Sequence, residues 1–160
     1  MANYADKTSL RVQTAFYMGS ISSLDYTPRY HFVELMLNGI YMGTYQLGEK
    51  LKIGKDRVNV GDDGFLLEID AKAADDEVTF MTEHLEQPVN IKDPEVVVED
   101  ENYNYIKSYL MKAENALYAE NFTDETEGWQ KYLDLDSFVD WYLINAIAKN
   151  CDAAFVSSCY

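Results

Sequence analysis

The chain has 160 residues with 28 acidic and 13 basic side chains, which gives a formal net charge of −15 at pH 7. This length suits one domain with one hydrophobic core. The acidic surface repels phosphate and argues against a nucleic-acid partner, and the absence of an apolar run of about 18 residues argues against a membrane-spanning helix.

The first predicted element is a helix near the N-terminus. Asp6 or Thr8 can cap it, because a short oxygen-bearing side chain accepts a hydrogen bond from an N–H of the first turn. Thr27-Pro28 is expected to end the segment, since proline disfavours helical backbone in the residue before it. Apolar spacings of three and four predict a buried stripe on this helix: Leu10, Thr14, Tyr17, Met18 and Ile21.

A β-hairpin is the next predicted element. Phe32–Leu37 and Ile40–Leu47 alternate as strands do, and Asn38-Gly39 between them suits a two-residue turn that needs positive φ at both positions. Two shorter strands are predicted to join them in one antiparallel sheet of about four strands: Arg57–Val60 and Phe65–Asp70.

Short strands and two further helices are predicted in the second half of the chain. Glu77–Thr82 and Val89–Lys92 are short β candidates. A helix is predicted from Glu99 to about Tyr118 with this inward stripe: Tyr103, Ile106, Leu110, Ala113 and Leu117. A third helix is predicted to begin near Asp134 or Asp136, with Asn150 as its C-cap. The residues predicted to face inward on it are Leu135, Phe138, Val139, Tyr142 and Ile147.

The last stretch, Ala153 to Tyr160, is apolar and β-branched and is predicted to form a strand whose partner lies beyond Tyr160. Complete domains seldom leave such an edge unpaired. We therefore expect the chain to be cut from a longer protein.

Several ordered segments carry a family resemblance. The run FVELMLNGIYMGTYQLGEK, followed by DRVNV and GFLLEID, resembles the CotH family, the spore coat protein H type of atypical protein kinase. NYADKTSLR, PVNIKDPE and LDLDSFVDWYLINAIAKNCDA are similar to other segments of that family and come in its order. The resemblance covers roughly Asn3 to Tyr160 and so implies a single kinase-like domain over residues 1–160.

The resemblance implies an α+β fold in which an antiparallel sheet, built on the Asn-Gly hairpin, has about three flanking helices, as in part of a protein-kinase-like fold. It implies transfer of the ATP γ-phosphate, with Mg²⁺ or Mn²⁺, to Ser or Thr of surface or coat proteins. It also suggests a bacterial spore coat, cell-surface or secreted location, although no targeting signal in the sequence identifies the compartment.

A cluster of cations follows the hairpin, beside Gly48 and Gly54: Lys50, Lys52, Lys55 and Arg57. Cationic groups near glycine backbone can neutralise a polyphosphate, so the cluster is a candidate phosphate site. The alternative is a solvated loop whose cations balance Glu49 and Asp56.

The CotH resemblance implies an ATP site lined partly by the sheet, with Glu49, Lys50, Arg57 and Glu68 as candidates. Glu49 could orient a phosphate-binding cation or a metal, as an acid paired with a lysine does in other kinases. Glu68 and Asp70 could equally be the polar positions of an alternating strand.

Asp152 is the candidate catalytic and metal-binding residue, because the family has an Asn-x-Asp where this chain has Asn150-Cys151-Asp152. Such an Asp can hold Mg²⁺ or accept the proton of an attacking hydroxyl. The alternative is an ordinary helix end, with Asn150 in a left-handed conformation and Asp152 on the surface.

The chain departs from the family pattern in one respect. CotH-like chains carry a later Pro-Trp-Asp-hydrophobic-Asp segment that resembles a metal-holding Asp of kinases, and this sequence has none. The isolated chain is therefore expected to be inactive or nearly so. The competing function is a non-catalytic module of a surface assembly, whose 13 tyrosines would contact protein or glycan.

Overall fold

The computed structural model describes residues 6, 8–71, 78–150, 153 and 157–159. The described part is α+β, with three α-helices, one short 3₁₀ helix and two antiparallel sheets. Its contacts divide the chain into two compact units. Unit 1 comprises residues 1–59 and 136–150, and unit 2 comprises residues 60–135 and 151–160.

The hairpin of unit 1 forms a two-stranded sheet of its own. Strands β1 (Tyr30–Leu37) and β2 (Ile40–Gly48) pair antiparallel. Asn38 has φ 51° and Gly39 has φ 79° between them. These positive values are what a tight two-residue hairpin turn requires, and a short polar residue followed by glycine supplies them at low steric cost.

The prediction of one sheet of about four strands is wrong. Arg57–Val60 forms no strand, and only an isolated parallel bridge joins Ile53 to Val58. The predicted strand Phe65–Asp70 is observed as β3 (Leu66–Asp70), but it belongs to the other sheet. Alternation identifies a strand, whereas its pairing partners depend on tertiary packing.

The N-cap of the first helix, α1 (Arg11–Ser20), is Leu10, which makes no side-chain capping hydrogen bond. Oδ2 of Asp6 accepts a hydrogen bond from the N–H of Arg11 at 2.9 Å. Oγ1 of Thr8 accepts one from the N–H of Leu10 at 3.1 Å. Neither predicted residue is thus the N-cap, but Asp6 satisfies the first backbone donor of the helix.

The predicted buried stripe of α1 is wrong in part, because Leu10, Tyr17 and Ile21 are exposed. Phe16 instead makes the contact with the hairpin, and its ring stacks on that of Tyr30 with centroids 4.4 Å apart. Helical spacing predicts that a helix has an apolar face. Which residues of the helix are buried depends on the element that packs against it.

The third helix, α3 (Leu135–Ala148), ends in a Schellman motif. Lys149 has φ 52°, and its N–H donates to the carbonyl of Ala146 at 3.2 Å. The N–H of Asn150 donates to the carbonyl of Asn145 at 2.9 Å. The left-handed residue is thus Lys149 and not Asn150, which corrects that expectation.

The inward residues predicted for α3 are also wrong, because all five are exposed: Leu135, Phe138, Val139, Tyr142 and Ile147. Apolar residues surround most of this helix, so periodicity does not select one face. Within unit 1, Asp140 of α3 accepts hydrogen bonds from the N–H and the hydroxyl of Ser23 at 2.7 and 2.6 Å.

Unit 2 contains the second sheet, with strand order β4-β5-β3-β6 and antiparallel pairing throughout. Its further strands are β4 (Thr79–Met81), β5 (Pro88–Asp93) and β6 (Ser157–Cys159). Because β6 pairs with β3, the prediction that the last strand has its partner beyond Tyr160 is wrong.

Helix α2 (Glu101–Tyr118) covers one face of this sheet. Asp100 is its N-cap and accepts a hydrogen bond from the N–H of Tyr103 at 2.7 Å. Leu117 is exposed, contrary to prediction, while Glu114 is buried. The core of unit 2 consists of sheet, loop and helix residues: Leu67, Phe80, Val89, Ile91, Val96, Tyr103 and Ile106.

Candidate functional site

Glu49, directly after β2, is the centre of a charged cluster in unit 1. Its Oε1 accepts from Nε of Arg29 at 2.9 Å and lies 3.3 Å from Nη1 of Arg57. Its Oε2 accepts from the backbone N–H of Arg29 at 3.0 Å and from the hydroxyl of Tyr26 at 3.2 Å. One carboxylate thus contacts two guanidinium groups and a phenol.

The hydrogen bonds from Arg29 are the main reason that the pKa of Glu49 falls to about 2. The carboxylate therefore stays ionised across the physiological pH range. Burial raises the pKa of Tyr26, so its hydroxyl remains a donor to Glu49.

The hairpin places Arg29 and Glu49 together because they flank the paired residues Tyr30 and Gly48. The N–H of Glu49 donates to the carbonyl of Arg29 at 3.1 Å, which continues the pairing by one step. A Cβ added to Gly48 would overlap the Tyr30 ring, so only glycine leaves room for that ring. The charged pair therefore depends on an aromatic–glycine contact at the base of the hairpin.

The cation loop is folded back on itself. The N–H of Gly54 donates to the carbonyl of Val58 at 3.0 Å, and the N–H of Arg57 donates to the carbonyl of Gly54 at 2.9 Å. These bonds hold Arg57 toward Glu49, whereas Lys50 and Lys52 are exposed. The N–H of Gly54 is already used within the loop and is therefore not available to a phosphate.

A cavity of about 350 Å³ lies beside the cluster, within unit 1. Its walls include Tyr26, Thr27, Arg29, Asp56 and Arg57. The buried hydroxyl of Thr27 has no hydrogen-bond partner among the residues that the structure describes. Since a guanidinium carries five N–H donors, contact with Glu49 leaves others to bind an anion.

Glu68 lies in unit 2, on β3 in the centre of the second sheet. Its neighbours across the strands are Asn90 of β5 and Cys159 of β6. Its Oε2 lies 3.3 Å from Nζ of Lys92, and the Glu68 side chain is only 17% exposed. Glu68 is therefore a half-buried acid paired with a lysine that the sequence analysis did not select.

The structure brings together two of the predicted site residues, Glu49 and Arg57. Lys50 adjoins them in the chain and is exposed, whereas Glu68 belongs to the other unit. Asp152 lies outside the described residues. Arg29 was not among the predicted site residues, although its place just before β1, across from Glu49, could have identified it.

No group of three or more His, Cys, Asp or Glu side chains suited to a metal occurs in the described ranges. Mg²⁺ in kinase sites is held by one or two carboxylates together with substrate phosphates. Glu49 is already bound to two guanidinium groups, so it fits the role of orienting a cation better than that of a metal ligand. Of the described helices, none has the length and apolarity needed to cross a membrane.

No curated protein and no solved structure matches this chain. The family model described as CotH kinase protein matches residues 1–160, which is the whole chain. The ordered segments around the hairpin, β3, β5 and α3 thus fall within one family pattern, and the chain belongs to the CotH kinase family.

Proposed function

We propose that this protein acts as a CotH-type atypical protein kinase, which transfers the γ-phosphate of ATP to a Ser or Thr hydroxyl of a surface or coat protein. The observation that carries the proposal is the family match over residues 1–160. Membership of a kinase family implies a nucleotide, a divalent metal and a protein substrate in general terms. That the acceptor is Ser or Thr, and that the substrate is a surface or coat protein, are the further details of this proposal.

In this proposal Lys50 and Arg57 neutralise the phosphates, and Glu49 holds Arg57 in place. The contact of 3.3 Å between Arg57 and Glu49, beside the cavity, supports that role. Positioning and charge neutralisation supply most of the catalysis in phosphoryl transfer. Glu68 of β3 is proposed as a further nucleotide-binding residue.

Asp152 is proposed to accept the proton of the substrate hydroxyl. The hydroxyl oxygen then bonds to the γ-phosphorus, the bond to the β–γ bridging oxygen breaks, and ADP leaves. Mg²⁺ or Mn²⁺, when bound, neutralises phosphate charge, and Asp152 is the proposed ligand.

The direct test uses the complete reading frame that contains this chain, with γ-labelled ATP and Mg²⁺ or Mn²⁺. We expect label on Ser or Thr of a coat or surface protein, and a loss of at least about a hundredfold in Asp152→Ala. Asp62→Ala, which removes an exposed acid on a loop of unit 2, is the matched control and should keep the activity. Transfer that survives Asp152→Ala, or no transfer at all, would contradict the proposal.

The second candidate is a non-catalytic module that binds protein or glycan. The observation that favours it is the exposed apolar surface of the hairpin, which includes Leu37, Ile40 and Leu47. Cross-strand partners share a face of a hairpin, so Leu37 and Ile40 lie side by side. Large exposed apolar patches commonly mark interaction surfaces.

The two candidates differ in which variants lose binding. If the module function holds, binding of a surface protein or glycan survives Asp152→Ala and Lys50→Ala and is lost in Ile40→Ser. If the kinase function holds, Asp152→Ala and Lys50→Ala impair nucleotide binding or transfer, and Ile40→Ser leaves both intact.

A further inference from the structure

Unit 1 contains another cavity, of about 340 Å³, between α1 and the C-terminal end of α3. We call it the α1–α3 cavity. Leu10, Thr14 and Met18 line it from α1, and because they recur every four residues they lie on one face of that helix. Residues 147–149 line it from the end of α3.

More than half of the side chains around the α1–α3 cavity are apolar. Leu10 and Ile147 are 54% and 65% exposed, and Ala15, Met18 and Ala148 are partly buried. A ligand with an apolar body would remove this concave surface from water, which is favourable. The cavity therefore suits a hydrocarbon chain better than a fully polar ligand.

Two cations, Arg11 and Lys149, also line the α1–α3 cavity, and no described acid does. Arg11 forms no ion pair with any residue that the structure describes. The carboxylate of nearby Asp6 is bound to the backbone N–H groups of Thr8 and Arg11 and to the hydroxyl of Thr8. The cavity thus has an excess of positive charge in a chain whose net charge is −15.

Lys149 occupies a backbone position that in most helices belongs to glycine. It directly follows α3, and its φ of 52° is left-handed. Glycine is favoured there because it has no Cβ, so a lysine costs stability. Unfavourable backbone positions of this kind concentrate at functional sites. The place of the Lys149 side chain at the cavity gives the presence of a lysine a physical reason.

We propose that the α1–α3 cavity binds an amphiphilic anion, namely a carboxylate with an unbranched hydrocarbon chain of medium length, such as octanoate. Arg11 and Lys149 bind the carboxylate, because charge-assisted hydrogen bonds are the strongest that it can form. The chain contacts Ala15, Met18 and Ile147. The cavity volume lies near the lower end of the range for ligand sites, about 300–1,000 Å³, which limits the length of the chain. This site goes beyond the proposed kinase function and uses none of the residues proposed for it.

The test is titration calorimetry of the complete reading frame, without nucleotide, against octanoate, octanol and acetate. Octanoate should bind at least about tenfold more tightly than octanol, since only the carboxylate makes charge-assisted contacts. It should also bind more tightly than acetate, because each buried methylene group strengthens binding by up to about fourfold.

Three variants locate the binding site. Lys149→Gly removes the ammonium group and relieves the left-handed backbone, so it should weaken octanoate binding roughly tenfold while the thermal midpoint without ligand stays at or above that of wild type. Arg11→Gln should weaken octanoate binding to a similar extent. Lys112→Ala, which removes an exposed lysine of α2 in unit 2, is the control and should bind octanoate as wild type does.

Four outcomes would overturn this inference. Octanol binding as tight as that of octanoate would show an apolar packing gap without an anion site. No binding of octanoate, or binding unchanged in either Lys149→Gly or Arg11→Gln, would place no carboxylate at these cations. Weakened binding accompanied by a lowered thermal midpoint in both variants would show a purely structural role. Because neither nucleotide binding nor transfer is measured, each of these outcomes leaves the proposed kinase function unaffected.

Discussion

Glu114 is a buried acid in the C-terminal half of α2, with 5% of its surface exposed. Its carboxylate accepts backbone N–H groups from Glu83 at 2.8 Å, His84 at 3.0 Å and Leu85 at 2.8 Å. Burial acts to raise the pKa of Glu114, but the hydrogen bonds from His84, Leu85 and Glu83 outweigh it and lower the pKa. Glu114 thus fastens the β4–β5 loop to the helix.

Glu114→Gln should destabilise the protein by about 1.5–3 kcal/mol, because an amide replaces a charged acceptor and turns a donor toward three N–H groups. Chemical denaturation monitored by circular dichroism measures this loss. Glu125→Gln removes an exposed acid of the loop after α2 and is the matched control. A Glu114→Gln protein as stable as the control would show that the loop does not depend on this carboxylate.

Glu49 should make unit 1 sensitive to acid. Its pKa is about 2 in the folded protein and about 4.3 for an unperturbed Glu, so the folded state favours the ionised form. Its stabilising effect is complete above about pH 4.5 and is lost as the pH falls from there toward 2.

The thermal midpoint of wild type should therefore fall between about pH 4.5 and pH 2 more steeply than that of Glu49→Gln. The comparison must be made in one buffer series, because other carboxylates titrate in the same range and only the difference belongs to Glu49. Parallel midpoint curves for the two proteins would contradict the assigned pKa.

At the scale of elements, α1 and the hairpin meet through aromatic rings and a glycine. Tyr30 covers Gly48 and stacks on Phe16. This contact lies next to the pairing of Arg29 with Glu49, so the packing of α1 and the position of the charged cluster depend on each other.

Gly48→Ala should cost about 1–3 kcal/mol, since the new methyl would displace the Tyr30 ring from its stack on Phe16. Gly54→Ala is the control, because a Cβ there would meet nothing closer than 3.9 Å. Urea unfolding of both variants measures the difference. Equal stability of the two would show that the ring moves aside without cost.

Local sequence predicted the elements better than their packing. Apolar alternation located β1, β2 and β3, and short oxygen-bearing side chains located the start of α1. The same signals could not show that the hairpin and β3 belong to different sheets or that β6 pairs with β3. Those pairings depend on residues far apart in sequence, which short-range periodicity does not report.

The candidate site was predicted only in part, because sequence indicates contacts within a loop but not contacts between strands. Glu49 and Arg57 lie within one short loop, so their pairing was accessible from sequence. The contacts of Arg29 with Glu49 and of Lys92 with Glu68 can be identified only when the cross-strand neighbours are known. In each pair the two residues lie about twenty residues or more apart in the sequence. Asp152 keeps the status of a prediction.

At the scale of the whole molecule, binding of ATP must overcome a net charge of −15. Long-range repulsion between this chain and a polyphosphate has to be offset locally, and cations held in place by acids are the groups that can do so. Glu49 with Arg29 and Arg57 provides one such group in unit 1, and Glu68 with Lys92 provides another in unit 2. The account depends on at least one of them contacting phosphate.

The most direct measurement is the ratio of the dissociation constants of adenosine and MgATP for the wild-type protein in its complete reading frame. If acid-held cations bind the phosphates, MgATP binds at least about tenfold more tightly than adenosine, since a charge-assisted contact contributes about 1.5 kcal/mol or more. Equal affinities for the two ligands, or no binding of either, would contradict the account.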